Sequence, residues 1–580
     1  MSAGPDQLKL ADLVKANREL APQGAAYEIG VIANITLGAF PDVLEYVLRR
    51  EKVPARVTLG EYNNILQDAQ RFAGFRCVMI FWEPSNMVDG LYSQMAAWDE
   101  ARIVGFQEAI CAQMKTLFAA LSRTSLVVIN RFSSLLFDSE SIRQTRFGAF
   151  CRALNGYLDA HAPGNFVVVD IDKVIARVGI TQAFDERFFY SAKAPFSVAL
   201  LREYAAHVMP IFLAANGLSS KVLLFDCDNT LWKGIVGEDG PEGIALSAQV
   251  PAGAPFSDVQ ALALGLQRDG VLIGLCSKNN PEEVDEILAS HPEMGLREHH
   301  IAIKRVNWED KVANIRDIAR ELNLGLDSFV FVDDSDFELE SVRGYLPEVR
   351  TLRVPAQAHA YPRAFRTEMQ RFFSLARGSE DAQRTALYKA EAGRTEAQKQ
   401  FHSMDDYLAS LDLSIEVRDG PSVPLERVAQ LTQKTNQFNL TTIRYSAADL
   451  QSLLESDRGR VLSFGLSDRF GSYGVVGVAI LRIADRRADL DSFLMSCRAM
   501  GRRVEFAFFD HLVDALAQQG YRELTARYIA TRKNAPVATL LDTLGFERMP
   551  AANDTAGEYR LMLERYVPST VTYVKVSYVS

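Results

Sequence analysis

The sequence predicts an α/β protein of about three domains. Its 580 residues are 48% hydrophobic, and short apolar runs alternate with amphipathic stretches along most of the chain. Three of these runs, at 221–228, 271–277 and 329–334, end in hydroxyl or acidic residues. Because open α/β sheets build their sites at the carboxyl ends of strands, the pattern predicts a parallel sheet with a chemical site at one edge.

Composition and charge exclude several classes of protein. The net charge of −10 argues against a nucleic-acid partner. The six cysteines have no paired spacing, and the chain shows neither a signal peptide nor an apolar run of about 20 residues. We therefore expect a protein of the reducing cytoplasm with no membrane partner.

Residues 1–215 have the alternation of a three-layer α/β/α domain, with short apolar runs separated by amphipathic stretches. Together with the motif at 188–195, this region resembles SGNH-hydrolase-like domains. It has no Gly-Asp-Ser nucleophile motif, because the first strand runs into Asn34, and it has no Asp-x-x-His motif near its end. We therefore expect a binding or covering module rather than a hydrolase.

Two carboxylates follow the apolar run that begins at Lys221. Asp226, Asp228 and Thr230 alternate along an extended segment, so they face one side of it. Carboxylates this close need a hard cation when ionised, and oxygen ligands suit Mg²⁺. Asp226 is the candidate nucleophile toward phosphorus, and Asp228 is the candidate proton donor. A strand that ends in an Asp-rich turn is the alternative.

Two later segments supply groups that suit a phosphate. Ser277 ends a second apolar strand and can donate to a phosphoryl oxygen, and Lys278 and Asn279 follow it in a turn. Thr230 joins these three as a substrate-binding candidate. Lys311 precedes an amphipathic helical pattern, so it stands at a helix start, where anions collect, and it can neutralise phosphoryl charge.

A third apolar strand ends in Asp333 and Asp334, whose carboxylates can complete a metal shell. In this order the segments resemble the haloacid dehalogenase phosphohydrolase superfamily. The resemblance implies magnesium held by Asp226 and the backbone carbonyl of Asp228. One acid of the last pair completes the shell, and Asp334 is favoured. The short intervals between the motifs predict a capless Rossmann-like core at 216–376, which is open to a large partner unless another domain of the chain covers it.

The words at 226–240, 276–280 and 306–311 are similar to the FkbH-like family of polyketide pathways. That resemblance implies capture of the glyceryl group of 1,3-bisphosphoglycerate, a small phosphorylated three-carbon acid, with loss of its phosphate. The acceptor would be the phosphopantetheine thiol of an acyl carrier protein. Lys233 and the residues after Asp334 depart from the family pattern. A plain magnesium phosphatase and an acyltransferase with a vestigial phosphatase core are the alternatives.

Acyl capture requires a thiolate, and two cysteines are candidates. Cys227 lies between the two catalytic acids, although its side chain should face away from them and the flanking carboxylates oppose its ionisation. Cys497 ends another apolar strand beside a helix start and two arginines, surroundings that favour a reactive thiol. For both residues the alternative is a thiol packed in the core.

The remaining chain divides into three parts. Residues 377–412 are charged and Ala-rich, which predicts a linking helix. Residues 413–566 form the predicted last domain, of α+β class, and residues 567–580 form a tail.

The last domain has a strand that leads into Arg498–Arg503 and a helix, where backbone amides can hold a pyrophosphate. Together with a later word around Asn534 and the loop at 433–440, this pattern is similar to GNAT acyltransferases. The resemblance implies that Arg498, Gly501 and Asn534 contact coenzyme A or carrier-bound phosphopantetheine. Arg503 stands where that family keeps Gly or Ala.

Overall fold

The computed structural model describes residues 8–375, 384, 385, 388, 403–456, 458–484, 486–531, 533–549, 556–569 and 571–579. These residues form an α/β protein with three separate sheets, so the predicted fold class is confirmed. They divide into two compact units, Met1–Asn216 with Arg444–Ser452, and Gly217–Ile443 with Leu453–Ser580. Most of the predicted linking helix lies outside the described residues. The predicted three-domain boundaries stay a prediction.

The first unit contains a five-stranded parallel sheet in the order β2-β1-β3-β4-β5. Its strands are β1 (Tyr27–Ala33), β2 (Ala55–Leu59), β3 (Cys77–Phe81), β4 (Leu126–Asn130) and β5 (Phe166–Val169). Its helices are α1 (Leu10–Glu19), α2 (Phe40–Arg50), α3 (Ile65–Phe72), α4 (Leu91–Gln94), α5 (Glu100–Ala120), α6 (Leu135–Asp138), α7 (Arg146–His161), α8 (Ile171–Val178), α9 (Ile180–Ala183), α10 (Glu186–Ala192) and α11 (Val198–Ala215). Every residue of β3 and β4 is buried, as a sheet covered on both faces requires.

Asn34 follows β1 at the place where a nucleophile would stand in an SGNH-like domain. Its side chain exchanges two hydrogen bonds with the backbone of Glu83, with Nδ2 to the carbonyl oxygen at 2.9 Å and the Glu83 amide to Oδ1 at 2.7 Å. The amide therefore links the carboxyl ends of β1 and β3, which is a structural use of this position.

Helix α11 is the one described helix that is long and apolar enough to cross a membrane. It has 18 residues, and 56% of them are buried inside the protein, where it packs against α2 and α8. A core helix passes the same test of length and composition, so α11 is weak evidence for a membrane span.

The second unit begins with another five-stranded parallel sheet, in the order β10-β9-β6-β7-β8. Its strands are β6 (Val222–Phe225), β7 (Leu272–Ser277), β8 (Ile301–Val306), β9 (Phe329–Asp333) and β10 (Arg350–Arg353). Its helices are α12 (Val236–Asp239), α13 (Ala254–Arg268), α14 (Pro281–Ser290), α15 (Lys311–Glu321), α16 (Asp336–Tyr345) and α17 (Tyr361–Met369). The three motif strands β6, β7 and β9 are adjacent, with β6 in the centre. The described chain between β6 and β7 contains only α12, α13 and connecting turns, so no cap domain is inserted there.

The rest of the second unit is built on an eight-stranded mixed sheet in the order β16-β17-β15-β14-β13-β12-β11-β18. The strands are β11 (Ser414–Asp419), β12 (Gly459–Asp468), β13 (Gly471–Ala484), β14 (Arg487–Met495), β15 (Glu523–Ile529), β16 (Glu547–Arg548), β17 (Ala556–Met562) and β18 (Lys575–Val579). Its helices are α18 (Met404–Ser410), α19 (Leu425–Lys434), α21 (Val504–Gln518) and α22 (Leu540–Thr543), whereas most of α20 (Ala447–Leu454) belongs to the first unit. The predicted tail therefore contributes an edge strand, because β18 pairs in parallel with β11.

Candidate active site

The site is built at the carboxyl ends of β6, β7 and β9. Asp226 follows β6 directly, and its amide donates to the Val332 carbonyl at 2.9 Å, which continues the ladder with β9. Ser277 is the last residue of β7, and Asp333 is the last residue of β9. Because parallel neighbours end at the same edge, three residues that are far apart in sequence meet there.

Lys311 bridges two of the acids from the first turn of α15. Its ammonium lies 2.7 Å from Asp226 Oδ1 and 2.8 Å from Asp333 Oδ2. The side chain of Asp310 caps this helix by accepting from the Ala313 amide at 3.1 Å, so the helix start is fixed just before the lysine. Lys311 is only 4% exposed. Burial alone would lower its pKa, but the Asp226 and Asp333 carboxylates raise it above the usual range.

Three carboxylates converge beside this single ammonium. Asp226, Asp333 and Asp334 each offer an oxygen, and these oxygens lie within 4.8 Å of one another. Burial raises the pKa of Asp226 to about 6; Lys311 lowers it and the neighbouring Asp333 charge raises it. Burial and then the charge of Asp226 also raise the pKa of Asp334. An excess of hard oxygen donors that resist ionisation fits a divalent cation such as Mg²⁺.

The two acids of the last pair differ in their free oxygens. Asp333 is fully buried, with Oδ2 on Lys311 and Oδ1 accepting from the Ser335 amide at 2.8 Å. Asp334 is partly exposed. Its carboxylate accepts from its own backbone amide and has no ion pair or hydrogen bond with the Lys311 ammonium, so Asp334 has more freedom to bind a cation than Asp333 does.

Asp228 does not belong to this carboxylate group. Its Oδ1 accepts from the Trp232 indole at 2.9 Å and from the Val236 amide at 3.1 Å, and its Oδ2 accepts from Asn279 Nδ2 at 3.1 Å. Oδ1 therefore contacts the turn after β6, while Oδ2 contacts Asn279, which also binds Ser277 of the site. The metal contact predicted for Asp228 was through its backbone carbonyl, and that role stays a prediction.

The predicted phosphate ligands take different positions. Ser277 donates to Asp226 Oδ1 at 2.8 Å and accepts from Asn279 Nδ2 at 3.2 Å, so both line the site. The hydroxyl of Thr230 is fully buried and has no hydrogen-bond partner in the structure. Lys278 instead pairs with Glu338 at 2.7 Å. Its ammonium is therefore already neutralised by a carboxylate of α16.

The sequence reasoning missed Tyr361 as part of the site. This residue opens α17 and is completely buried, and its hydroxyl has no hydrogen-bond partner in the structure. Burial raises its pKa well above the ordinary value, and the charges of Asp226 and Asp334 raise it further. The phenol thus lies within electrostatic reach of the carboxylates. Its position before Pro362 resembles an ordinary helix start, so the sequence carried no signal for it.

Cys227 lies in the core between the two acids. It is 0% exposed and packs within the apolar cluster under the sheet. Burial raises its pKa well above the ordinary value, and the charge of Asp226 adds to this effect. The geometry therefore favours the core-thiol alternative over an acyl-carrying role. Cys276 is equally buried.

Cys497 lies at the other end of the parallel sheet's strands from the carboxylates. It is half-buried against the apolar cluster formed by the parallel sheet, and the Tyr388 hydroxyl lies 3.8 Å from its sulfur. Its carbonyl accepts from Asn323 at 3.2 Å, just before the start of β9. Asp226 stands beyond the other end of β6, and a four-residue strand spans about 13 Å. The thiol is therefore not within reach of the carboxylates.

Two of the predicted coenzyme-binding residues, Arg498 and Gly501, lie just before α21, and the third, Asn534, follows β15. Gly501 has a positive φ of 79° and Arg503 has one of 59°, so the turn into the helix is left-handed at both residues. Among the described residues, the buried Nη1 of Arg498 has no hydrogen-bond partner. Asn534 is 0% exposed, and its Nδ2 donates to the carbonyls of Asn439 and Ile529, both at 2.9 Å. Its amide thus serves the fold.

The chain itself fills the opening in the mixed sheet. β14 and β15 are paired only from 487–490 to 523–526, and they separate beyond that point. The segment 438–440 lies between them: the Leu440 amide donates to Phe493 at 3.0 Å, and the Ile529 amide donates to Leu440 at 2.9 Å. Backbone groups that an extended ligand would need on both strands are therefore already paired at these positions.

No family model matches the chain, and no curated protein matches it. Among solved structures, it is similar to the N-terminal part of the protein BF1531 from Bacteroides fragilis, which contains a phosphatase domain complexed with Mg. The identity is 23%, the match covers 64% of this chain and 100% of that chain, and the TM-score is 0.55. At this identity the likeness shows the fold. The chain contains the fold of that phosphatase-containing protein.

Shorter matches are to acetyltransferases. The ribosomal-protein-S18-alanine N-acetyltransferase from Escherichia coli is 17% identical, covering 27% of this chain and 99% of that chain, with a TM-score of 0.21. PaiA N-acetyltransferase from Thermoplasma acidophilum, in complex with coenzyme A, is 13% identical, covering 20% of this chain and 72% of that chain, with a TM-score of 0.18. Likenesses of this size say nothing about activity.

Proposed function

We propose that this protein is a magnesium-dependent phosphatase of the haloacid dehalogenase type that uses Asp226 as its nucleophile. The observation that carries the proposal is the meeting of Asp226, Ser277, Lys311 and two further acids at one sheet edge. An ammonium and a hydroxyl donate to the same oxygen of Asp226, so both donors stand where phosphoryl oxygens would arrive. Such preorganised donors stabilise charge that develops on a transferring group.

The chemistry proceeds in two displacements. A carboxylate oxygen of Asp226 attacks phosphorus and the bond to the leaving oxygen breaks, while Asp228 gives that oxygen a proton. Water then attacks the same phosphorus, Asp228 takes the proton, and the carboxylate is regenerated as inorganic phosphate leaves. Lys311 and Ser277 hold the phosphoryl oxygens throughout. Asp226 and Asp334 would hold magnesium, and the bound ion supplies neutralisation of the phosphoryl charge.

The finer proposal is glyceryl loading onto an acyl carrier protein, as the FkbH-like sequence words imply. The carrier's pantetheine thiolate attacks the acyl phosphate of 1,3-bisphosphoglycerate; a C–S bond forms, the C–O bond breaks, and phosphate leaves. The phosphate monoester that remains is then hydrolysed at Asp226. No nucleotide is required, because an acyl phosphate is already activated. The capless edge supports access by a macromolecule, and Trp308 and Phe337, near its motifs, are 70% and 73% exposed.

The acyltransferase alternative has less support. The opening between β14 and β15 is filled by residues 438–440, and Asn534 holds that segment in place. We therefore assign the mixed sheet no acetyl transfer, and pantetheine would have to displace this segment to bind there. The cytoplasm is the proposed compartment, consistent with six cysteines that are all free in the structure.

The test combines the protein with magnesium, 1,3-bisphosphoglycerate and a phosphopantetheinylated carrier, and measures the intact mass of the carrier. A glyceryl adduct, together with magnesium-dependent phosphate release, is the expected result. If phosphate is released while two carriers from the same pathway stay unmodified, the result supports the phosphatase function and overturns the loading step. Absence of phosphate release from any ester would overturn both.

A further inference from the structure

The indole of Trp232 lies against the candidate proton donor. Trp232 is 0% exposed, and its Nε1 donates to Asp228 Oδ1 at 2.9 Å. The turn that makes this contact is sharp: Asn229 has a positive φ of 51°, and Asp228 and Trp232 form an isolated bridge. Four residues after the acid, the chain has therefore turned back so that a fully buried ring holds it.

The two oxygens of Asp228 have different surroundings. Oδ1 accepts from the Trp232 indole and from the Val236 amide, at 2.9 and 3.1 Å. Both groups can only donate, and together they occupy the acceptor positions of that oxygen. Among the described residues, Oδ2 has one recorded donor, Asn279 Nδ2 at 3.1 Å. Oδ2 is therefore the oxygen left with capacity to carry and transfer a proton.

Oδ2 is also connected to the nucleophile through two intervening side chains. Asn279 Nδ2 donates to Ser277 Oγ as well, at 3.2 Å, and Ser277 donates to Asp226 Oδ1 at 2.8 Å. One hydrogen-bonded chain thus connects Oδ2 with the carboxylate that attacks phosphorus. A group held on this side can meet the oxygen that leaves the phosphorus.

We propose that Trp232 is a positioning residue that fixes the orientation of the Asp228 carboxylate and aims Oδ2 at the leaving oxygen. The inference rests on the proposed phosphatase function and extends it to the choice of substrate. Loss of the indole N–H leaves Oδ1 with the Val236 amide and Oδ2 with Asn279, so the carboxylate loses the shortest of its three hydrogen bonds and rotates more easily about its terminal torsion, which is broad by itself. Esters that need protonation of the departing oxygen then suffer most, while esters with a good leaving group are affected little.

The experiment compares kcat/KM across phosphate monoesters for the full chain with magnesium, from 4-nitrophenyl phosphate to glycerol 3-phosphate. Trp232→Phe should lower kcat/KM for the alkyl ester at least about tenfold, since a positioned acid contributes about 100-fold or more. It should lower the value for the nitrophenyl ester less than about twofold. The ratio kcat/KM is used because it reports the first displacement, in which the leaving group departs.

Two controls separate orientation from packing. Trp308→Phe removes another indole with a hydrogen bond, to Asn280 Oδ1 at 3.2 Å, from the exposed rim of the site. It should leave the ratio between the two esters unchanged. Because Trp232→Phe shrinks a core side chain, a second variant carries 3-benzothienylalanine at position 232, which keeps the ring size and replaces only the N–H. It should reproduce the selective loss.

The outcomes are distinct. A steeper dependence of kcat/KM on the leaving group in both variants at position 232 supports the inference. An equal fall for all esters, or unchanged kinetics with benzothienylalanine, overturns it and leaves the phosphatase intact. Wild-type protein that is folded but hydrolyses no ester overturns the proposed function, and the inference with it.

Discussion

The two predicted sites of the second unit differ in how their polar groups are satisfied. At the end of β6, three carboxylates lie together and two of them pair with the Lys311 ammonium, and the pKa of Asp226 rises to about 6 because burial disfavours its charge. Around Asn534, the side-chain amide and the separated strands find their partners within the chain. Buried polar groups are normally paired, so a surplus that the fold tolerates indicates a ligand or a reaction. Complete pairing indicates a structural role.

The largest expected effect is at Asp226. Asp226→Asn should lower magnesium-dependent phosphate release at least about 1,000-fold, because an amide cannot form the phosphoryl bond. The variant should keep its fold, since the amide oxygen can still accept from Ser277 and Lys311. Phosphate release is measured with inorganic-phosphate detection, and the fold by circular dichroism.

Asp327→Asn is the matched control, because Asp327 pairs with Lys533 at the other edge of the same sheet. It should release phosphate at the wild-type rate. If Asp226→Asn releases phosphate as fast as this control, Asp226 is not the nucleophile, and the contrast between the two sites fails.

Lys311→Met should lower stability as well as activity. Removing one partner of a buried ion pair costs about 3 kcal/mol, because the remaining charges are left uncompensated. Asp226 and Asp333 both lose their ammonium, so the melting temperature should fall by several degrees in chelator. Added magnesium should recover part of that fall by binding the folded state. A variant that melts like the wild type in chelator would contradict the electrostatic account.

Local sequence patterns predicted which residues end the strands of the site. An apolar run that stops at Asp226, Ser277 or Asp333 needs only local reasoning, because strand ends in a parallel sheet share an edge. Local patterns could not predict which side chains from elsewhere in the chain pack against these residues. Tyr361 arrives from α17, and Trp232 is turned back by a left-handed residue. Neither contact has a periodicity in the sequence.

In the mixed sheet too, the features that the sequence did not predict depend on long-range packing. The surroundings of Cys497 were correctly described as a strand end beside a helix start, but what packs over it comes from another sheet. The segment 438–440 pairs with strand residues that lie about fifty and about ninety positions later in the sequence. These contacts are backbone hydrogen bonds, which residues with any side chain can form. Sequence reasoning recognises such a loop without placing it.

Glu505, like Arg498, departs from the complete pairing around Asn534. It is a buried carboxyl near the start of α21, and its Oε2 has no hydrogen-bond partner among the described residues. Burial raises its pKa from 4.5 to about 7. Below pH 4.5 the carboxyl is protonated in both states and has no effect. Between pH 4.5 and about 7 the unfolded chain loses its proton first, so the folded state loses stability, and above about 7 that loss is complete.

Glu505→Gln should therefore melt at a higher temperature than the wild type at pH 8, by the equivalent of about 3 kcal/mol, with no difference at pH 4. Melting is followed by scanning fluorimetry across this range. Glu416→Gln, at a half-exposed carboxyl of β11, should follow the wild-type curve. A Glu505→Gln curve parallel to the wild type at every pH would show that the carboxyl is not the source of the pH dependence.

The smallest expected effect is at Thr441, which directly follows the segment 438–440 and anchors its carboxyl end. Its Oγ1 donates to the Asp491 carbonyl at 3.1 Å, and the residue is 3% exposed. Thr441→Val keeps the shape and removes this one bond, which costs about 1 kcal/mol. Amide hydrogen exchange at 438–441 should accelerate about fivefold, because segments open more often when their local stability falls.

Phosphate release should stay at the wild-type rate, since the segment serves the fold of the mixed sheet. A loss of phosphate release in this variant would mean that the second region takes part in the chemistry, and the contrast between the two sites would then fail.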